Sequence, residues 1–277
     1  MRTTDQILIE FASEVIKGCE HVEDPSLPSH LIRVRDAAGQ AYIAKLHRSA
    51  ERFQREHLAY TTWVASLGHQ APRMVAADGA RRALLLTELP GVPANLTGGA
   101  PSAEQAIHRS AGELLRRLHD VRPAELDPCI GSDLADRLDH WIKRAEGLLD
   151  SDELRTLRRH AHALAGIAPL ETTVCHLDYQ PRNWIIRGCT VHLVDFEHAR
   201  IDARLRDLTR LRYRHWTRCP ELREAFFAGY GQELTDTEEK ALRHFGAIEA
   251  VTSLVRAHNT GDAELAVHGR NVLRQLG

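Results

Sequence analysis

The chain has 277 residues, 43% apolar and 27% charged, the balance of a soluble globular protein with a buried core rather than of a disordered segment. Its formal charge of −2 argues against a surface given over to nucleic acid. No run of about 18 apolar residues offers a membrane span, and Asp5, Glu10 and Glu14 interrupt the stretch where a secretory signal would lie. A cytoplasmic protein with neither nucleic acid nor membrane as partner is expected. The five cysteines are scattered, odd in number and never spaced CxxC, so they read as reduced thiols rather than a disulfide framework or zinc site. Of 36 basic residues only Lys17, Lys45, Lys143 and Lys240 are lysines, which makes a lysine inside a strand conspicuous.

In chain order, periodicity predicts a helix ("DQILIEFASEVI"), strands at "HLIRVRD" and "AYIAKLH", a long helix ("ERFQREHLAYTTWVASLG"), and strands at "PRMVAAD" and "RALLLTEL". The Pro/Gly-rich stretch "LPGVPANLTGGAPS" then ends periodic structure. Helical patterns follow in "AEQAIHRSAGELLRRLHD", "DLADRLDHWIKRAEGLL" and "DELRTLRRHAHAL". A β region over "ETTVCHLDYQPRNWIIRGCTVHLVDFEHA" interrupts them, and helices resume near Leu205. The reading is an α+β chain with a small β-rich lobe over residues 1–89 and a larger, mostly helical lobe over 90–277, joined at a hinge near 88–91.

The stretch "HLDYQPRNWI" places Asp178 and Asn183 five residues apart on a loop, and Asp195 follows in "LVDFEH". Phosphoryl transfer uses such a set: one carboxylate accepts the proton of an attacking hydroxyl, while an amide oxygen and a second carboxylate hold Mg²⁺ against nucleotide phosphates. Oxygen donors suit that hard cation. Lys45 is costly to bury unpaired, so a carboxylate or phosphate is expected beside it.

H-x-D-x-x-x-x-N followed by D-F-E resembles the aminoglycoside phosphotransferase and choline kinase-like family of the protein-kinase-like fold, over roughly residues 25–215. The resemblance implies a bilobal kinase-like architecture and a nucleotide-dependent transfer to a small-molecule hydroxyl. It assigns Asp178, Asn183 and Asp195 to catalysis, the last two also to Mg²⁺. Lys45 is implied as the contact to the α and β phosphates, with Glu56 as its ion-pair partner and Glu51 as the rival. "LLLTELPG" resembles the hinge that meets the base of ATP or GTP, which points to Glu88 and Leu89, and "RDLTRL", with Asp207, resembles the segment after the metal loop. The sequence departs from the family at Leu177, where Gly is usual, and in "EDPSLPSHLIRV", which lacks the glycine-rich phosphate loop and leaves Ser26 and Ser29 as donors to phosphate.

His176 reads as a loop-holding residue, Glu197 as a loop brace, His160 and His162 as solvated, and Trp141, Trp184 and Trp216 as core. The expected function is O-phosphotransfer to an antibiotic, of aminoglycoside or of nucleoside or sugar type. A metabolic kinase of choline or homoserine type is the alternative, and a nucleotide-binding regulator a third. The chain leaves no room for a protein kinase's activation segment between Asp195 and Leu205. From Cys175 onward 14 acidic residues face 15 basic ones, and seven arginines fall between Arg200 and Arg218. Those arginines either pair with acidic helices or solvent, or line the acceptor cleft, whereas "ELTDTEEK" offers local acidity. A monomer or homodimer is expected.

Overall fold

The computed structural model describes residues 3–277. Contacts divide the chain into two compact units, one running to Ala103 and taking in Pro181–Arg200, the other Glu104–Gln180 with Ile201–Gly277.

The first unit begins with α1 (Thr4–Val15), opened by a capping box in which Thr3 and Gln6 satisfy each other's backbone N–H groups. Strands β1 (Glu20–Val22), β2 (Leu31–Arg35) and β3 (Ala41–Leu46) follow, then α2 (Ala50–Thr62), a 3₁₀ segment (Val64–Gln70), β4 (Met74–Asp78) and β5 (Ala83–Thr87). The strands form one antiparallel sheet in the order β1-β2-β3-β5-β4. The three-residue β1 is too short for period-two alternation to reveal it in the sequence. Leu8, Phe11 and Ala12 of α1 pack on Ile32, Val34, Ala44 and Leu85, and each large side chain so buried contributes about 1.5–3 kcal/mol. The unit is completed by β6 (Val92–Pro93), which pairs with a later hairpin, so that Gly91 lies against that hairpin's backbone. A Cβ at Gly91 would come within 2.3 Å of the Ile186 carbonyl, and its φ of +131° also suits glycine.

The second unit is mostly helical: α3 (Pro101–His119), β7 (Glu125–Asp127), α4 (Ile130–Arg144), α5 (Ser151–Ala165) and β8 (Leu170–Cys175). Strands β9 (Trp184–Arg187) and β10 (Thr190–Leu193) form the hairpin of the first unit, and β11 (Arg200–Ala203) pairs back onto β8. The chain closes with α6 (Arg206–Leu211), a π turn (Arg212–Trp216), α7 (Pro220–Tyr230), α8 (Asp236–Thr260) and α9 (Ala263–Leu276). Helices α3 and α7 approach through Gly112 and Gly229, where an added Cβ would meet the Phe226 and Arg109 carbonyls at 2.0 Å. Among the described residues no helix is long and apolar enough to cross a membrane. The α+β fold with a small antiparallel sheet and a helical second part agrees with the sequence reading.

Trp184 and Trp216 are core residues, while Trp141 is half-buried under the Arg144 guanidinium, 4.9 Å from its ring. His160 differs from expectation. It is buried, and its Nδ1 lies 2.8 Å from Nδ1 of His244 on α8, whereas His162 is exposed. A helix places i and i+2 on different faces, and α8 covers only one of them.

Burial lowers the pKa of His108 to about 3, with His215 adding to it, and that of His160 to about 4. His215 falls to about 4 through burial and then the charges of Arg214 and Arg218. The folded protein therefore refuses protons that the unfolded chain accepts near the ordinary value of 6.5. Stability is fully present above about pH 6.5 and falls as pH is lowered toward about 4, by up to about 1.4 kcal/mol per pH unit for each histidine. Thermal unfolding followed by circular dichroism should show this slope, and His160→Gln should make it shallower.

Candidate active site

Lys45 sits in the middle of the first unit's sheet, paired in register with Leu31 and Leu84, and is 4% exposed. An ammonium this deep needs anions. Its Nζ lies 2.7 Å from Glu56 Oε2, 2.5 Å from Asp195 Oδ1 and 3.7 Å from Glu197 Oε2. Burial alone would favour the neutral amine, but these three carboxylates outweigh it and raise the pKa of Lys45. Glu56 is fully buried, which would raise its pKa, yet Lys45 and then His47 bring it down to about 2. Glu51 is not involved; it pairs with Arg55 one turn along at the surface.

One stripe of α2 organises the loop that carries Asp195. Arg52, Glu56 and Tyr60 recur every four residues and so share a face. Arg52 donates to Glu197 at 2.7 Å, Glu56 Oε1 accepts the Phe196 N–H at 3.1 Å, and Tyr60 meets the Phe196 ring edge-on at 5.6 Å. Glu56 Oε2 also accepts from His47 Nε2 at 2.6 Å. His47 and Arg52 belong to the site but were not singled out in the sequence; their signal was spacing, two residues after Lys45 and one turn before Glu56.

Asn183 and Asp195 are brought together by the β9–β10 hairpin. Its turn uses Gly188 at φ +62°, and Trp184 pairs with Leu193. The residues just outside that pair therefore face each other, and the Val194 N–H donates to the Asn183 carbonyl at 3.1 Å. Asp195 follows at φ +69°, a left-handed conformation that non-glycine residues rarely adopt. Asn183, just before β9, and Asp195, just after β10, offer an amide and a carboxylate oxygen, hard donors of the kind that suit Mg²⁺.

The remaining predicted residues of this unit occupy other positions. Glu88 binds Arg33 through its side chain at 2.7–2.8 Å and gives its N–H to the Ala41 carbonyl; Leu89 follows it, half-buried. Ser29 is exposed in the turn before β2, and the Ser26 hydroxyl is committed to Asp24 at 2.5 Å.

Asp178 lies in the second unit on the loop after β8 and is 1% exposed. Its N–H donates to His176 Nδ1 at 3.2 Å, so His176 braces the loop as an acceptor there. Asp178 Oδ1 accepts from Gln180 Nε2 at 2.6 Å and from Arg210. Asp207 holds the loop from below, accepting the His176 N–H at 2.8 Å and the Leu177 N–H at 2.5 Å. His119 in turn bridges Asp207 and Tyr230, and the Tyr179 hydroxyl donates to the Ala111 carbonyl at 2.6 Å where α3 and α7 meet. Leu177 adopts φ +61°, which explains why glycine suits this position.

The arginines between Arg200 and Arg218 mostly pair with acidic residues of the same unit. Arg204 binds Glu171 and Glu238, Arg206 binds Asp202, Arg212 binds Glu239, and Arg214 binds Glu249. The acidic start of α8 is thereby largely occupied, with Arg223 also on Glu239.

Sheet, hairpin and helices define a protein-kinase-like phosphotransferase fold. Solved structures agree with it. Macrolide 2'-phosphotransferase MphH from Brachybacterium faecium superposes with a TM-score of 0.66 at 15% identity, covering 96% of this chain and 97% of that one. APH(2")-IIa in its gentamicin complex gives 0.68 at 15% identity over 99% and 97%. Spectinomycin phosphotransferase APH(9)-Ia, bound to ADP and spectinomycin, gives 0.62 at 12% identity over 100% and 98%. No curated protein matches the sequence. The family model APH, described as the phosphotransferase enzyme family, matches residues 29–244, and the chain belongs to that family. It is thus a small-molecule phosphotransferase.

The strain at Leu177 yields a test. Leu177→Gly should leave folding stability within about 1 kcal/mol, since relief of left-handed strain offsets lost side-chain contacts and added chain entropy. Leu177→Val, β-branched, should cost about 1–2 kcal/mol in urea unfolding.

Proposed function

We propose that this protein transfers the γ-phosphoryl group of ATP or GTP to a hydroxyl of a small molecule, an antibiotic in a resistance reaction. The observation that carries the reading is the buried Lys45 held between buried Glu56 and half-buried Asp195 in a chain of this family. Lys45 binds the α and β phosphates, held in place by Glu56, which His47 and the Phe196 N–H keep from turning. Asn183 and Asp195 would hold Mg²⁺, whose role is to neutralise charge on the phosphates. The base edge meets the backbone after β5; Glu88 spends its N–H on Ala41 and Pro90 has none, which favours the Leu89 N–H as donor. Ser29, exposed before β2, donates to phosphate.

Asp178 orients the acceptor hydroxyl and takes its proton late in the transfer. Gln180 and Arg210 fix its carboxylate, so the base is oriented before the acceptor arrives. The acceptor's charge follows from the pairing of α8. Glu238, Glu239 and Glu249 already bind arginines, which favours a nucleoside or sugar-type compound over a polycationic aminoglycoside.

The test is mass spectrometry of a panel of aminoglycoside, macrolide, peptide and nucleoside antibiotics with choline and homoserine, incubated with protein, Mg²⁺ and ATP or GTP. One compound should gain a phosphate. Asp178→Ala should cut turnover at least about a hundredfold while Mg-nucleotide affinity stays within about threefold. Asp195→Ala should weaken both, and unchanged nucleotide affinity there would remove Asp195 from the metal role.

A further inference from the structure

The second unit contains a buried charge cluster centred on Glu249, in the middle of α8 and 71 positions beyond Asp178 in the sequence. Glu249 is 6% exposed. Arg214 donates to it through Nη2 at 2.7 Å and Nε at 3.1 Å, His268 Nε2 lies at 3.1 Å, and Arg210 Nε at 3.6 Å. Both arginines continue to the loop of Asp178. Arg210 donates to Asp178 Oδ1 and, at 3.0 Å, to the Leu177 carbonyl. Arg214 donates to Gln180 Oε1 at 3.3 Å, and the Gln180 amide donates to the same Asp178 oxygen at 2.6 Å. Two routes therefore leave one carboxylate and converge on one oxygen.

A guanidinium in direct contact with a general base orients it but also weakens it, because the positive charge favours the ionised carboxylate. A second carboxylate against the same guanidinium opposes that effect without disturbing the geometry. We propose that Glu249 is a positioning residue for Asp178, acting through Arg210 and through Arg214 and Gln180, and that its charge preserves the basicity Arg210 would otherwise remove. The proposal rests on the reading of Asp178 as the base. Arg214 and His268 also line an open surface depression with Tyr213, Arg218, Leu265 and Asn271.

The experiment measures Mg-ATP hydrolysis in the absence of acceptor, as kcat and KM across pH, for the wild type and for Asp178→Ala, Glu249→Gln, Arg210→Gln and the double variant Arg210→Gln/Glu249→Gln. Glu249→Gln should lower kcat at least about tenfold with KM for nucleotide within about twofold, and should move the acid limb of kcat to lower pH, since Arg210 is then uncompensated. Arg210→Gln should also lower kcat but move that limb to higher pH. The double variant should recover part of the loss of Glu249→Gln and place the limb between the two, and it carries the test if Glu249→Gln fails to fold. A limb that stays put, or moves the same way in both single variants, reduces Glu249 to a packing role and overturns the proposal. If turnover does not depend on Asp178, the base assignment fails and this inference falls with it; if it does and the Glu249 variants match the wild type, only the inference fails.

Discussion

A buried ammonium governs the first unit. Lys45 occupies a sheet position that apolar side chains would otherwise fill, and the cost of that burial is met only if carboxylates come to it. The carboxylates come from separate parts of the chain, Glu56 from α2, Asp195 and Glu197 from the end of the β9–β10 hairpin. Removing the lysine would leave these anions facing one another, so the ion cluster acts as a clasp between sheet, helix and hairpin. Under the proposed function, the elements that would bind phosphate are thus held together by the same charges that would do so.

The second unit meets a different constraint, which is to hold a short loop in an unfavourable backbone conformation. Leu177 is left-handed, and Asp207 compensates by accepting the N–H groups of residues 176 and 177. Asp207 is itself fixed by His119, and His119 by Tyr230. Strain at the loop is therefore supported by hydrogen bonds to helices, and those helices approach closely because Gly112 and Gly229 remove side chains from their contact.

Much of this was legible in the sequence, for identifiable reasons. Lys45 stood out because lysine is rare here, and Asp178, Asn183 and Asp195 because a fixed spacing on one continuous stretch is visible without knowing the fold. The large strands and helices followed from period two and period 3.6. What escaped detection depended on tertiary pairing. Strands β1, β6 and β7 are two or three residues long and exist through their partners. His160 is buried by a helix more than eighty positions away. Glu249 sits among alanines and valines of an almost uniformly buried stretch of α8, and no local pattern says that two arginines and a histidine will reach it. The arginine-rich segment was ambiguous for the same reason: its charge was evident, but its partners were not.

The π turn at Arg212–Trp216 separates the arginine-bearing α6 from α7. Its wide turn is closed by the Thr217 N–H and hydroxyl, both donating to the Arg212 carbonyl, and it accommodates one residue more than a regular helix would before α7 begins. Arg210 and Arg214, four positions apart, share a face and address the same carboxylate on α8, while Tyr213 and Trp216 are buried. Length here is as consequential as identity. Losing a single residue after Arg214 would leave the two arginines on one face yet change the phase at which Trp216 meets Phe226 and Phe227 of α7, even if every side chain that mattered were retained.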